Sequence, residues 1–426
     1  MHADAPASKA SACLPARTRS LWSRQAVFSA TAIAVSHLLP ASATAEKVDR
    51  KLVVRAQVEA ATLWRKGYVV EDAQVDSMLQ AILDSMVSDY SMDPGIKLRV
   101  HLFRSPEINA FALPDGSLYV FVGLLANLST MDQLAFILGH EAYHAIDLHA
   151  QKNLAQAKSK SALVGILSIG SSIALGSSGI AGAGLIDTFA QLGLSLAGAA
   201  SIHGYGRELE RSADEAGLAM IQRAGRPGCA AVHSMQVLLA SHDGQGRISN
   251  FFWGSHPLLV DRIAYLEEAS RETCDDELPQ VAPDFAGIHW PMLKKTVELW
   301  LLAGNPTAGL RPALRYCQRF PEDAEIHRHL GDVYRGVGTP DTLALAASEY
   351  EVALALGDAP LPLRGLALVA EARGDTAACI GYLERYLAGG VDVPNRRSLQ
   401  RKLQQLMSRA VPGAETIDTL STREPD

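Results

Sequence analysis

His140-Glu141-Ala142-Tyr143-His144, two histidines four residues apart with a glutamate directly after the first, is the segment of this chain best suited to chemistry. At about 100° per residue, a helix projects positions 140 and 144 from one face a turn apart, so both imidazoles can reach one metal ion. Glu141 then stands beside that ion as a candidate general base. The chemistry implied is hydrolysis assisted by a single Zn2+ per chain, which polarises a carbonyl and activates water while the carboxylate moves the proton. So short a string arises by chance in roughly one in fifty chains of this composition, and its surroundings must decide.

Upstream, Met131 to Leu138 carries apolar residues at 131, 134, 135 and 138, the spacing of an amphipathic helix with one face on a core. Ser129 or Thr130 would cap it, and Asp132 falls in the first turn, where the helix dipole favours negative charge. The pair is therefore predicted to lie on a helix, as its geometry requires.

A tetrahedral catalytic zinc needs a third protein ligand and one open position. On a continuous helix His149 lies about half a turn out of phase with His140, and it misses the spacing of the longer His-x-x-Gly-x-x-His motif by one residue; it reads as a histidine satisfying carbonyls at a helix C-terminus. Glu210 is the better candidate. It lies in Arg207-Glu-Leu-Glu-Arg-Ser-Ala-Asp214, a helical pattern in which Asp214, one turn on, could accept a hydrogen bond from a zinc-bound imidazole. Taken alone, such an acidic helix reads as a solvated face.

Three segments together resemble the HtpX and BepA-like gluzincin metallopeptidases, a group that also includes the CAAX prenyl proteases. They are Asn109 to Leu125, Leu134 to His149, and Arg207 to Asp214. The resemblance implies zinc ligation by His140, His144 and Glu210, catalysis by Glu141, and an orienting role for Asp214. Arg207 would ion-pair near the site or form an ordinary surface pair. Phe111 to Leu113 and Leu118 to Val122 flank Pro114-Asp115-Gly116-Ser117, a hairpin signal. By the same resemblance Asn109, Ala110, Phe111 and Ala112 form an edge strand that pairs with extended substrate through its main chain. Ser255-His256-Pro257 looks like the family's His-Pro segment. His256 is then an oxyanion stabiliser or an additional, latency-imposing zinc ligand; otherwise it is a turn residue.

Arg17, Arg19 and Arg24 precede an uncharged stretch that ends at Ala43-Thr44-Ala45, which reads as a signal peptide over residues 1–45 with export to a bacterial periplasm. Removing Cys13 leaves Cys229, Cys274, Cys317 and Cys379, which permit three pairings. Cys317 and Cys379 could pair with each other or stay free. Between the two motif helices, residues 161–206 are nearly uncharged and rich in Gly, Ala and Ser. They read as a buried or membrane-facing helical hairpin rather than true membrane spans, giving a possible peripheral membrane contact.

The expected organisation is a metallopeptidase domain at 46–275, a proline-bearing linker at 276–291, helical repeats at 292–410 and a disordered tail at 411–426. Helix pairs are marked by Leu310, Ala313 and Tyr316, by Leu330, Gly331, Tyr334, Ala347 and Tyr350, and by Leu366, Ala370 and Tyr382. The middle set resembles the tetratricopeptide (TPR) pattern; a plain helical bundle is the alternative. The fold class is thus α+β, a mostly helical gluzincin domain with a small sheet or hairpin followed by an all-α TPR-like solenoid. A net charge of −7 gives no basic patch, so nucleic acid is not an expected partner.

The functional expectation is an exported zinc endopeptidase of misfolded or misassembled outer-membrane and other envelope proteins, its repeats docking clients or assembly machinery. The competing expectation is a latent peptidase acting mainly as a chaperone or assembly scaffold.

Overall fold

The β-prone runs on either side of Asp115-Gly116 form the hairpin that their spacing predicts. Strand β3 (Ala110–Ala112) lies antiparallel to β4 (Ser117–Phe121), with Phe111 opposite Tyr119. The computed structural model describes residues 47–156, 205–242, 259–271, 274–275, 277–357, 360–389 and 396–410. Two further strands, β1 (Val69–Val70) and β2 (Arg99–Phe103), complete a four-stranded mixed sheet in the order β1-β2-β4-β3. β2 runs parallel to β4, so the chain must cross over between them, and among the described residues β3 is a sheet edge. Every residue of β4 is buried.

Helices α1 (Arg50–Arg65) and α2 (Ala73–Val87) are each started by an aspartate, Asp49 and Asp72, whose side chains accept from the first free backbone N–H groups. The short α3 (Val122–Leu125) follows β4 directly. Helix α4 (Met131–Ile146) carries the histidine pair. Its cap is Thr130, in a reciprocal box: Thr130 Oγ1 accepts from Gln133 N, and Gln133 Oε1 accepts from Thr130 N, both at 3.1 Å. Asp132 in the first turn is held by Arg226. Behind that cap nearly the whole of α4 is buried, because α2, β3 and two later helices pack around it.

Those later helices are α6 (Arg207–Arg223) and α7 (Cys229–His242), which follow α5 (His149–Gln156); α8 (Leu259–Ser270) packs on both α6 and α7. Gly217 sets the α4–α6 distance. A Cβ there would lie 3.1 Å from the His140 backbone nitrogen, so glycine permits the close approach the site needs. A disulfide joins Cys229 to Cys274, with Cα atoms 5.4 Å apart, while Cys317 and Cys379 are free thiols.

The C-terminal part comprises α9 (Ala286–Leu302), α10 (Pro306–Arg319), α11 (Ala324–Val337), α12 (Pro340–Ala355), α13 (Leu361–Ala372), α14 (Thr376–Ala388) and α15 (Arg396–Ala410). Each packs on the next, and α11 also touches α9 and α13, the contact pattern of stacked helix pairs. Gly331 is one of the small residues at these approaches: a Cβ would meet the Tyr350 ring at 2.7 Å.

The stretch expected as a linker, 276–291, differs from expectation in its second half. Helix α9 begins at Ala286 and contains Pro291. Proline at its sixth position removes one bond, to the Gly287 carbonyl, and Gly287 is exposed to water. Ahead of α9, Ala282 N donates to Ser129 O at 2.8 Å, and Leu278 and Ala282 pack on the core, as does Trp290 within the helix. One apolar cluster consequently runs from Ala56 to Val333, across that stretch. No described helix is long and apolar enough to cross a membrane. The proposed leader at 1–45, the segment 161–204, His256 and the tail at 411–426 lie outside the described residues.

Candidate metal centre

The α4 face behaves as its spacing predicts. His140 and His144 bring their Nε2 atoms to 3.0 Å, both buried. From α6, Glu210 places Oε2 3.7 Å from His140 Nε2 and Oε1 3.6 Å from His144 Nε2. One ligand atom from each residue lies within 4.8 Å of the others. A tetrahedral zinc with bonds of about 2.05 Å separates its ligand atoms by about 3.3 Å, and these separations bracket that value. The donor set, two imidazole nitrogens and one carboxylate, is a known catalytic zinc set, so the residues fit the ion. Glu141, also buried, is on the same helix directly after the first ligand.

Behind the ligands, polar groups fix their orientation. Asp214 Oδ1 lies 2.9 Å from His140 Nδ1, which assigns that nitrogen the proton and leaves Nε2 as a lone pair. Asp214 also accepts from Arg262 Nε at 2.7 Å and Nη2 at 2.6 Å, and from the Tyr265 hydroxyl. Arg262 Nη1 reaches Glu210 Oε2 at 2.9 Å. One buried guanidinium thus serves two buried carboxylates. Burial pushes Asp214 upward, but Arg262 and His140 overcome it and hold the carboxyl well below its usual range. For Glu210 burial wins: Arg262 and His140 only partly offset it, and the carboxyl is pushed up to about 7. Burial also lowers His140, with the Asp214 hydrogen bond opposing.

His144 has its own support. His149 Nδ1 lies 2.8 Å from His144 Nδ1, and His149 Nε2 lies 2.9 Å from Asp147 Oδ2. A carboxylate only accepts, so His149 carries its proton on Nε2 and, when neutral, accepts at Nδ1 from His144. This again leaves the lone pair of His144 on Nε2, facing the ligand cluster. Tyr205 stacks on the His144 ring, with centroids 4.1 Å apart.

The reading of His149 as a C-terminal histidine satisfying carbonyls is corrected. The phase argument assumed a continuous helix, but α4 ends at Ile146, Leu148 adopts φ +55°, and the chain returns His149 as the first residue of α5. Arg207 is likewise corrected. It is exposed at the start of α6 and makes no ion pair among the described residues, and Arg262 is the arginine at the site. Arg262, Tyr265 and Asp147 were given no role by sequence reasoning, and His149 was given a different one. The only signal for Arg262 was an arginine at the start of a helix after the His-Pro segment. Asn109, directly before β3, is buried beside Ala110, and β3 packs against α4, the helix of the histidine pair.

Two histidines one turn apart, a glutamate directly after the first and a second glutamate from a packed helix form a candidate catalytic zinc site of the kind a gluzincin metallopeptidase has. Residues 71–270 match the model of Peptidase family M48. The mitochondrial metalloendopeptidase OMA1 of Schizosaccharomyces pombe is 28% identical over 203 residues, covering 46% of this chain and 56% of that protein. The mitochondrial metalloendopeptidase OMA1 of Homo sapiens is 49% identical over 51 residues, 12% of this chain and 10% of that protein. The Bos taurus protein of the same name is 40% identical over 75 residues, 17% and 14%. The chain spans about half the length of the fission-yeast relative and less of the other two. These matches and the His140, His144, Glu210 cluster support a zinc metalloendopeptidase. The relatives carry the OMA1 name rather than HtpX or BepA, so the class read from sequence is supported and its finer branch is not.

Proposed function

We propose that the chain is an exported zinc-dependent endopeptidase that cleaves extended segments of misfolded or misassembled envelope proteins. The observation that carries the peptidase reading is the buried His140, His144, Glu210 cluster with Asp214 and Arg262 behind it and Glu141 on the same helix. Zinc held by these three residues would polarise the scissile carbonyl and activate water for attack. Glu141 takes the proton of the attacking water and passes it to the leaving amine. Asp214 and His149 hold the two imidazoles in the tautomer that presents Nε2. The edge strand Ala110–Ala112 would pair with substrate backbone, a mode of binding that reads little sequence, and its position at the end of the strand order supports this.

Two features support export: the arginine-flanked apolar N-terminus that ends in Ala-Thr-Ala, and the Cys229–Cys274 disulfide, a bond at home in oxidising compartments. The mitochondrial location in the relatives' names is theirs. The stacked helices α9 to α15 support a TPR-like surface for clients or assembly machinery. The reading of His256 as oxyanion stabiliser or additional ligand remains part of this proposal.

Glu141→Gln in the full chain tests the reading against an unfolded protein substrate. Turnover should fall by about 10²- to 10⁴-fold while zinc and client binding are retained. Turnover that survives unchanged would overturn the assignment. A wild-type protein that binds clients and never cleaves them would favour the scaffold reading.

A further inference from the structure

Away from the metal centre, a groove of about 1010 Å³ lies between the loop before β3 and helices α9 and α10. Among the described residues its charged lining consists of three arginines, Arg311, Arg315 and Arg319, with no lysine or carboxylate. Among the described residues none of the three forms an ion pair. Trp290, Trp300 and Ile108 give the groove an apolar side.

Arg315 is built into this wall rather than left on the surface. The fully buried His289 donates from Nδ1 to Leu128 O at 2.7 Å, and its Nε2 lies 3.4 Å from Arg315 Nη2. Burial pushes His289 down to about 4, so its Nε2 is an acceptor at neutral pH and Arg315 the donor. A guanidinium has five N–H donors, and this contact uses one. Burial and the charge of Arg311 both work against the Arg315 cation, and among the described residues no carboxylate is paired with it.

The three arginines recur every four residues along α10, about 6 Å apart along its axis at 1.5 Å per residue. In an extended peptide, side chains on one face recur about every 6.8 Å. We propose that this groove binds an extended acidic peptide segment of another protein, with carboxylates at alternate positions against Arg311, Arg315 and Arg319 and apolar side chains against the tryptophans. The spacing favours a peptide over a compact anion, which could engage only one or two of the arginines. The site is distinct from the metal centre, and its occupancy does not require cleavage.

The test uses the full chain carrying Glu141→Gln, so that binding is read independently of hydrolysis. A fluorescein-labelled peptide with Glu at three alternate positions among Leu and Ser is compared, by anisotropy, with its Gln counterpart. The Glu peptide should bind at least about tenfold tighter, an advantage that shrinks in high salt. Arg315→Gln should remove about tenfold of the affinity. The double variant Arg311→Gln/Arg319→Gln, at exposed positions that leave the fold intact, should remove a similar amount. Equal affinity for the two peptides overturns the proposal, as does a Glu preference that survives both variants. So does a protein that binds neither peptide until residues 411–426 are deleted, because the chain's own acidic tail would then be the occupant.

Discussion

Two clusters among the described residues have the composition of a metal site, and only one is built like one. His140, His144 and Glu210 are all buried, whereas Glu298, Glu325 and His329 combine a half-buried, an exposed and a buried residue. The groups around them differ more. Behind the first stand oriented partners, Asp214 on His140 and His149 on His144, that aim lone pairs at a common point. Around the second stand cations: Lys294 lies 2.5 Å from Glu325, Lys295 lies 2.6 Å from Glu298, and Arg328 Nη2 lies 3.0 Å from His329 Nε2. Those carboxylates are already neutralised, and a cationic metal would have to displace ammonium groups to bind. Ligand type and proximity alone do not separate the clusters; what surrounds each one does.

The largest effect that could break this comparison is loss of the metal itself. Glu210→Ala should empty the first cluster of zinc, whereas the double variant Glu298→Ala/Glu325→Ala should keep one zinc per chain on metal analysis after dialysis. Two zinc ions in the wild type would erase the distinction.

Next comes the buried guanidinium. Arg262→Met strands the carboxylates of Glu210 and Asp214 in the core, and the metal-free protein should lose about 3–5 kcal/mol in denaturant unfolding. A loss below about 1 kcal/mol would mean that the network is solvated, like the second cluster.

His289 sharpens the contrast from another side, as a buried imidazole used for scaffolding. Its folded value is about 4 against an ordinary 6.5, so the unfolded chain takes up the proton first as pH falls. The stability it contributes is complete above about 6.5 and is lost as pH falls toward 4, to at most about 3 kcal/mol. Unfolding measured across that window should show a slope that flattens in His289→Gln.

The smallest effect concerns the partner of His144. Asp147→Asn or His149→Phe should weaken zinc retention by about ten- to a hundredfold in chelator competition. Lys152→Met, which removes only the outer, half-exposed partner of Asp147, should change it by less than about twofold. Equal effects from all three would make the His149 contact incidental.

Much of the site was legible because helical spacing is local. The cap at Thr130, the shared face of His140 and His144, and the pairing of Glu210 with Asp214 each lie within a turn or two of chain, where periodicity alone fixes direction. The hairpin at Asp115-Gly116 was legible for the same reason, as turn chemistry between two strand-forming runs. Pro291 misled because a proline inside a helix and a proline in a linker look alike until packing decides between them. His149 misled because a single residue, Leu148, leaves the helical region, and no periodicity argument anticipates a break of that kind in a side-chain-bearing residue.

By itself the sequence determined which residue types could hold zinc and on which helical faces they lie, since each face is set by dihedrals a few residues long. Only the tertiary structure decided that Arg262, 48 residues beyond Asp214, neutralises the carboxylates, and that His149 orients His144. The physical reason is that burying charge is costly without a partner, and the partner is chosen by how helices pack, here at the close approach that Gly217 allows, rather than by neighbours in the chain.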